Sequence, residues 1–117
     1  MVTTAYVPDR GHIIKIDFNP ETGREQSGWR PALVLSPASY NRPTGLAVVV
    51  PITNQGKEYP FEVPLPAGLT ISGVVLSDAV KNLDWRARKI RYVERAPRDV
   101  LAGVQERLGL LLGLADV

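Results

Sequence analysis

What most restricts the folds open to this chain is the spacing of its breakers. Ten prolines and ten glycines in 117 residues cut the apolar sequence into runs too short for most helices. Between the breaks stand β-branched stretches. "HIIKIDFNP" predicts a strand from about residue 11 to 18, closed by Asn-Pro. A long polar loop, "NPETGREQSGWR", separates it from a second strand, "PALVLSP". "ASYNRPTG" is then a connection, and "LAVVVPITN" a third strand apolar enough to be buried on both sides. Pro51 interrupts that strand, which implies a bulge or an edge there. "YPFEVPL" alternates Phe61 and Val63 against Glu62, as a half-exposed strand does, and "SGVVLSDAV" and "RKIRYVE" supply two more. Only the tail changes period. Val100, Val104, Leu108, Leu111 and Leu112 fall on one helical face, with Pro97 in the first turn and Gly113 at the C-terminal end. The expected architecture is mainly β (α+β): a small, partly closed β-barrel with a helix packed on it.

Length and composition bound the rest. With 44% apolar and 22% charged residues, the chain matches one ordinary globular domain spanning residues 1–117. The absence of cysteine excludes a disulfide framework and a thiolate metal site, and the lone His12 excludes a histidine-rich one. His12 reads as an ordinary edge residue of the first strand. The N-terminus lacks an apolar signal core, and no window reaches the length of a membrane span, so the expected location is the cytoplasm. Gly103 and Gly109 weaken the terminal helix by up to ~1 kcal/mol each relative to Ala, so packing must hold it. Its Leu-rich end is either core or an oligomer interface.

Net charge is only +2, but the charges are unevenly placed. From Lys81 to Arg98 there are seven basic residues (Lys81, Arg86, Arg88, Lys89, Arg91, Arg95, Arg98) against Asp84 and Glu94, with Trp85 and Tyr92 interleaved. Cations mixed with aromatic faces suit a single-stranded nucleic acid. The same pattern also serves a solvated strand edge, where Lys and Arg discourage sheet-to-sheet aggregation.

Four segments taken together carry a resemblance: the "EQSGWRP" loop with its flanking strands, "VVVPITNQGKEYPFEVPL", "GVVLSDAVKNLDWRAR" and the closing helix. Over nearly its whole length the chain resembles the MazF/PemK family of bacterial toxins, sequence-specific ribonucleases of toxin–antitoxin modules. The resemblance implies an SH3-like barrel with helices, a homodimer, a cognate antitoxin, and cleavage of single-stranded RNA without a metal or other cofactor. Cleavage of that kind uses the neighbouring 2′-hydroxyl and leaves 2′,3′-cyclic phosphate and 5′-hydroxyl ends.

Three jobs must then be filled: removing the 2′-hydroxyl proton, stabilising charge on phosphorus and assisting the leaving oxygen. Arg30 suits the second, since a guanidinium stays charged and grips two oxygens, and Pro31 biases it toward extended backbone. Thr53 matches the family's active-site Thr and is a donor to a phosphate oxygen. Glu25 is the candidate general base, with Asp78 or a positioned water as alternatives. Many relatives carry His immediately before the catalytic Arg. This chain has Trp29, which stacks on bases but transfers no protons. Gln26, Trp29, Lys57, Asp78, Lys81, Trp85, Arg86 and Arg88 make up the expected RNA-binding set. Two competing readings are a toxin on the same barrel that poisons DNA gyrase without catalysis, and an RNA-binding barrel that does not cut. Neither requires the Arg30 and Thr53 pair.

Overall fold

The computed structural model describes residues 5–18 and 28–114. Among the described residues seven strands and two helices follow one another: β1 (His12–Asp17), β2 (Trp29–Val34), α1 (Ala38–Thr44), β3 (Leu46–Thr53), β4 (Glu62–Pro64), β5 (Val74–Leu76), β6 (Lys81–Asp84), β7 (Ile90–Arg95) and α2 (Arg98–Leu112). The sheet is antiparallel, in the order β4-β5-β3-β2-β1-β7, with β6 pairing β3 off that path. Among the described residues β6 pairs only with β3 and β7 only with β1, so the barrel is not fully closed.

Alternation along the three central strands sends apolar side chains both ways. Ile13, Leu33, Val50 and Ile52 enter one core, where Val63, Val75, Val100 and Val104 meet them. Ile14, Ile16, Ala32, Val34, Ala47 and Val49 enter a second core, closed by Trp85 with Tyr6, Val7, Phe18, Leu83 and Ile90. The expectation that β3 is buried on both sides therefore holds. Helix α2 covers the first core through Val100 and Val104, each worth roughly 1.5–3 kcal/mol of apolar burial. A Cβ at Gly103 would meet a Val63 methyl at 3.5 Å, an ordinary contact, so the approach of α2 does not depend on glycine there.

Several expectations need correction. "ASYNRPTG" is not a bare connection but holds helix α1, with Pro43 inside it and Gly45 as a left-handed C-cap. Asn41, fully buried, explains why so poor a helical sequence is held. It receives the Ser36 hydroxyl at 2.6 Å, donates to the Pro8 and Ser36 carbonyls at 2.8 and 2.9 Å, and offers its own carbonyl to Trp85 Nε1 at 2.9 Å. "KNLD" forms β6, a strand imposed by pairing with Leu46–Val49 of β3. Pro51 makes neither a bulge nor an edge. It stands in the gap where β3 stops pairing with β6 at Val49 and starts pairing with β5 at Ile52, so a residue without an N–H is tolerated. Pro97 is the N-cap of α2 rather than a first-turn residue, whereas Gly113 is its left-handed C-cap as expected.

His12 is not an edge residue either, since β1 lies between β2 and β7. Its Nδ1 is 2.7 Å from the Tyr6 hydroxyl, its ring meets Tyr92 edge-on at 4.9 Å, and Arg95 Nη2 is 3.3 Å from Nε2. Among the described residues no helix is long and apolar enough to cross a membrane.

Candidate active site

The β2–β3 register fixes what faces what. Ala32 pairs with Pro51 and Val34 with Val49, and beyond the last of these pairs Arg30 and Thr53 continue their own strands by two residues. Both belong to the alternation that sends Ala32, Val34 and Val49 into the second core, and both emerge where that core meets solvent. Lys81, opposite Val49 on β6, comes from the other side. Phe18, Arg30, Pro51, Lys81 and Leu83 line a cleft of about 370 Å³. Its floor is apolar and its two cations come from different strands.

A second cleft, of about 490 Å³, is lined by Thr53, Gln55, Lys57, Tyr59, Glu62, Leu76 and Asp78. Pro51 and Thr53, neighbours on one strand face, thus join the two hollows. The Thr53 hydroxyl accepts the Gln55 N–H at 3.1 Å, a bond that leaves its own hydrogen able to donate. The Glu62 carboxylate accepts the Lys57 N–H at 2.8 Å and shapes the loop between β3 and β4. Asp78 receives the Tyr59 hydroxyl, and the neighbouring negative charge raises the Tyr59 phenol above its ordinary range. Tyr59 also packs against Phe61 with ring centroids 5.6 Å apart.

Gly73 locks Thr53 from behind. With φ of 118° it adopts a backbone that side chains avoid, and a Cβ there would stand 2.2 Å from the Thr53 carbonyl oxygen. Only glycine lets β5 approach the end of β3 so closely.

The structure brings together Arg30 with Lys81, and Thr53 with Lys57 and Asp78. It separates others. Trp29 alternates with Arg30 along β2 and so lies on the opposite strand face, away from the Arg30 cleft. Trp85 is not a ring offered to a base: it is 7% exposed, packed in the second core and hydrogen-bonded to Asn41. Arg86 lies with its Cζ 5.0 Å from the Trp85 ring centroid and donates to the Arg42 carbonyl at the end of α1. Arg88 Nη1 donates to the Asp17 and Phe18 carbonyls at 3.0 and 2.7 Å. Trp85, Arg86 and Arg88 line a third hollow with Ala5, Val7, Arg42 and Ile90, apart from Arg30 and Thr53. Glu25 and Gln26 lie outside the described residues.

Sequence reasoning passed over Phe18, Gln55, Tyr59 and Glu62. Tyr59 alone carried a signal, an aromatic beside Lys57 in a Gly- and Pro-bounded loop. Among the described residues no three His, Asp or Glu side chains group as metal ligands.

Fold and site define a small antiparallel barrel domain with two adjoining clefts, one holding Arg30 and Lys81 and the other the Thr53 hydroxyl. Residues 9–112 match the family described as "PemK-like, MazF-like toxin of type II toxin-antitoxin system". The chain is 44% identical over 112 residues to the endoribonuclease toxin MazF of Escherichia coli strain K12, covering 96% of this chain and all of that one. It is 38% identical to an Escherichia coli endoribonuclease PemK, over 89% of this chain and 81% of the relative. A crystal structure of MazE-MazF (Form-II) from Deinococcus radiodurans superposes with a TM-score of 0.86 at 51% identity, over 95% of this chain and 100% of that one. This chain belongs to the PemK/MazF toxin family.

Proposed function

We infer that the chain is an endoribonuclease toxin that cuts single-stranded RNA and is restrained by a protein antitoxin. The observation that carries this reading is the meeting of Arg30 and Lys81 in one cleft, joined through Pro51 to the cleft that Thr53 lines, in a chain of this family. In the proposed reaction the 2′-hydroxyl oxygen attacks the adjacent phosphorus while the bond from phosphorus to the 5′-oxygen breaks. The 2′ proton passes to a base and the leaving oxygen gains one. Arg30 steadies the charge that grows on the phosphoryl oxygens, where a fork of donors matched to the transition state is worth most. Thr53, whose oxygen accepts the Gln55 N–H, donates its hydroxyl hydrogen to one of those oxygens. Glu25 is our candidate base, and Asp78, on the cleft that Thr53 lines, is the alternative. The 2′-hydroxyl is an internal nucleophile, so the scheme needs no metal-bound water.

We also propose a homodimer, supported by Leu110, Leu111, Leu112 and Leu114, which stand 43% to 80% exposed at the end of α2. A cytoplasmic location follows from the substrate. The antitoxin relative in solved MazE-MazF pairs supports an inhibitor that covers the basic clefts. Incubating the purified protein with mixed-sequence RNA in excess EDTA tests the reading. Fragments ending in 2′,3′-cyclic phosphate are expected, and intact RNA, or cutting that EDTA abolishes, overturns it.

A further inference from the structure

Arg88 sits in the run that sequence reading assigned to RNA, yet its guanidinium is already spoken for. Both Nη1 hydrogens go to the carbonyls of Asp17 and Phe18, the last residue of β1 and the one after it. Its Nε is buried, without a hydrogen-bond partner among the described residues. A bidentate grip on phosphate uses either the two Nη atoms or Nε with Nη2, and here both pairings have lost one member. What Arg88 does hold matters to the cleft. Phe18 lines it directly and donates its N–H to the Gly28 carbonyl at 2.6 Å, while the Asp17 N–H donates to the Lys89 carbonyl at 3.2 Å. One residue inward, Ile16 pairs with Arg30 itself. The turn carrying Arg88 is in its turn pinned by Trp85 Nε1 to Asn41.

We propose that Arg88 is a positioning residue: it clamps the end of β1 and, through Phe18 and the β1–β2 register, sets where Arg30 presents its guanidinium. This rests on the RNA-cleaving reading only for its kinetic consequence, because the clamp itself has a structural readout.

The test compares Arg88→Gln and Arg88→Lys with Lys81→Ala on the full-length protein. The probe is the best-cleaved RNA oligonucleotide, used intact for rates and with a 2′-deoxyribose at the cut site for binding. Arg88→Gln should bind the uncleavable RNA within about twofold of the parent and keep its salt slope, while kcat falls by about tenfold or more, as for a misplaced catalytic group. Amide exchange at Asp17 and Phe18 should quicken. Arg88→Lys, which can still donate to both carbonyls, should restore most of the rate and the protection. Lys81→Ala should do the reverse, weakening binding and flattening the salt slope by about 0.7 while leaving those amides protected. The proposal is overturned if Arg88→Gln weakens binding with a flattened slope at unchanged kcat, or if the two amides exchange as in the parent. Should Arg88→Gln fail to fold, Arg88→Lys decides, because a lost rate with unaltered exchange is fatal to the clamp. Should the parent cut no RNA, the catalytic reading falls while exchange alone still judges the clamp.

Discussion

The two faces of the central sheet are closed in different ways. One is roofed by a single regular element, α2, whose Val100 and Val104 seal it among Leu33, Val50, Ile52, Val63 and Val75. The other is closed by pieces: Tyr6 and Val7 from the N-terminal segment, Phe18 at a strand end and Trp85 from a turn. A helical roof leaves no gap at which polar groups can converge. A piecemeal roof does, and Arg30, Pro51, Lys81 and Leu83 stand at its edge. The contrast teaches that the stabilising face and the chemical face are separable, though they share the same three strands.

Substitutions can break that division. The largest effect is expected for Arg30→Ala, which should lower cleavage by roughly two to three orders of magnitude, as for loss of one charge-stabilising donor, with circular dichroism unchanged. Arg30→Lys should rescue little, because it keeps the charge but not the two-oxygen fork. Parental rates for a folded Arg30→Ala would mean that the open face is not the chemical one. Gly73→Ala comes next. It forces a side chain against the Thr53 carbonyl in a left-handed backbone, and strain of this type costs on the order of 1–3 kcal/mol, so thermal unfolding should come earlier and turnover should fall with it.

Val104→Ala acts on the roofed face alone. Its expected cost is about 1–3 kcal/mol in urea unfolding, with unaltered turnover per folded molecule, and a change in turnover would show that the faces communicate. The smallest effect is expected at His12. Burial first, and Arg95 second, hold its imidazole below the ordinary 6.5. The unfolded chain then takes up a proton that the fold resists, so the contribution is whole above pH 6.5 and shrinks as pH falls below it. Denaturation midpoints across that range should lose part of their slope in His12→Asn, and an identical slope would remove His12 from the account.

The sequence made the strands of the central sheet legible because their β-branched runs are bounded by Pro and Gly, and it marked α2 by its period. It did not make α1 or β6 legible, because neither is held by local preference. "ASYNRPT" is helical through the buried Asn41 network, and "KNLD" is a strand because β3 offers it partners. The motif pointed to Arg30 and Thr53, but the adjoining clefts that hold them follow from strand pairing, which no run of residues displays. Trp85 and Arg88 misled for one reason. Their partners, Asn41 and the carbonyls of Asp17 and Phe18, are 44, 71 and 70 residues away, and cations beside an aromatic look alike whether they meet a phosphate or a backbone carbonyl.

Those same separations bear on the order of events when the chain folds. Asn41 joins Pro8, 33 residues before it, to Trp85, 44 residues after it. Contacts of such span cost the most chain entropy to close, so they are expected to form on the native side of the rate-limiting barrier. Asn41→Ala should therefore accelerate unfolding while refolding stays near the parental rate, a split that stopped-flow chevrons measure directly. A slowed refolding limb would instead place this knot in the nucleus. In a growing polypeptide the wall behind Arg30 cannot be completed until residue 88 is free to fold back, so the cutting edge is among the last parts of the molecule to take shape.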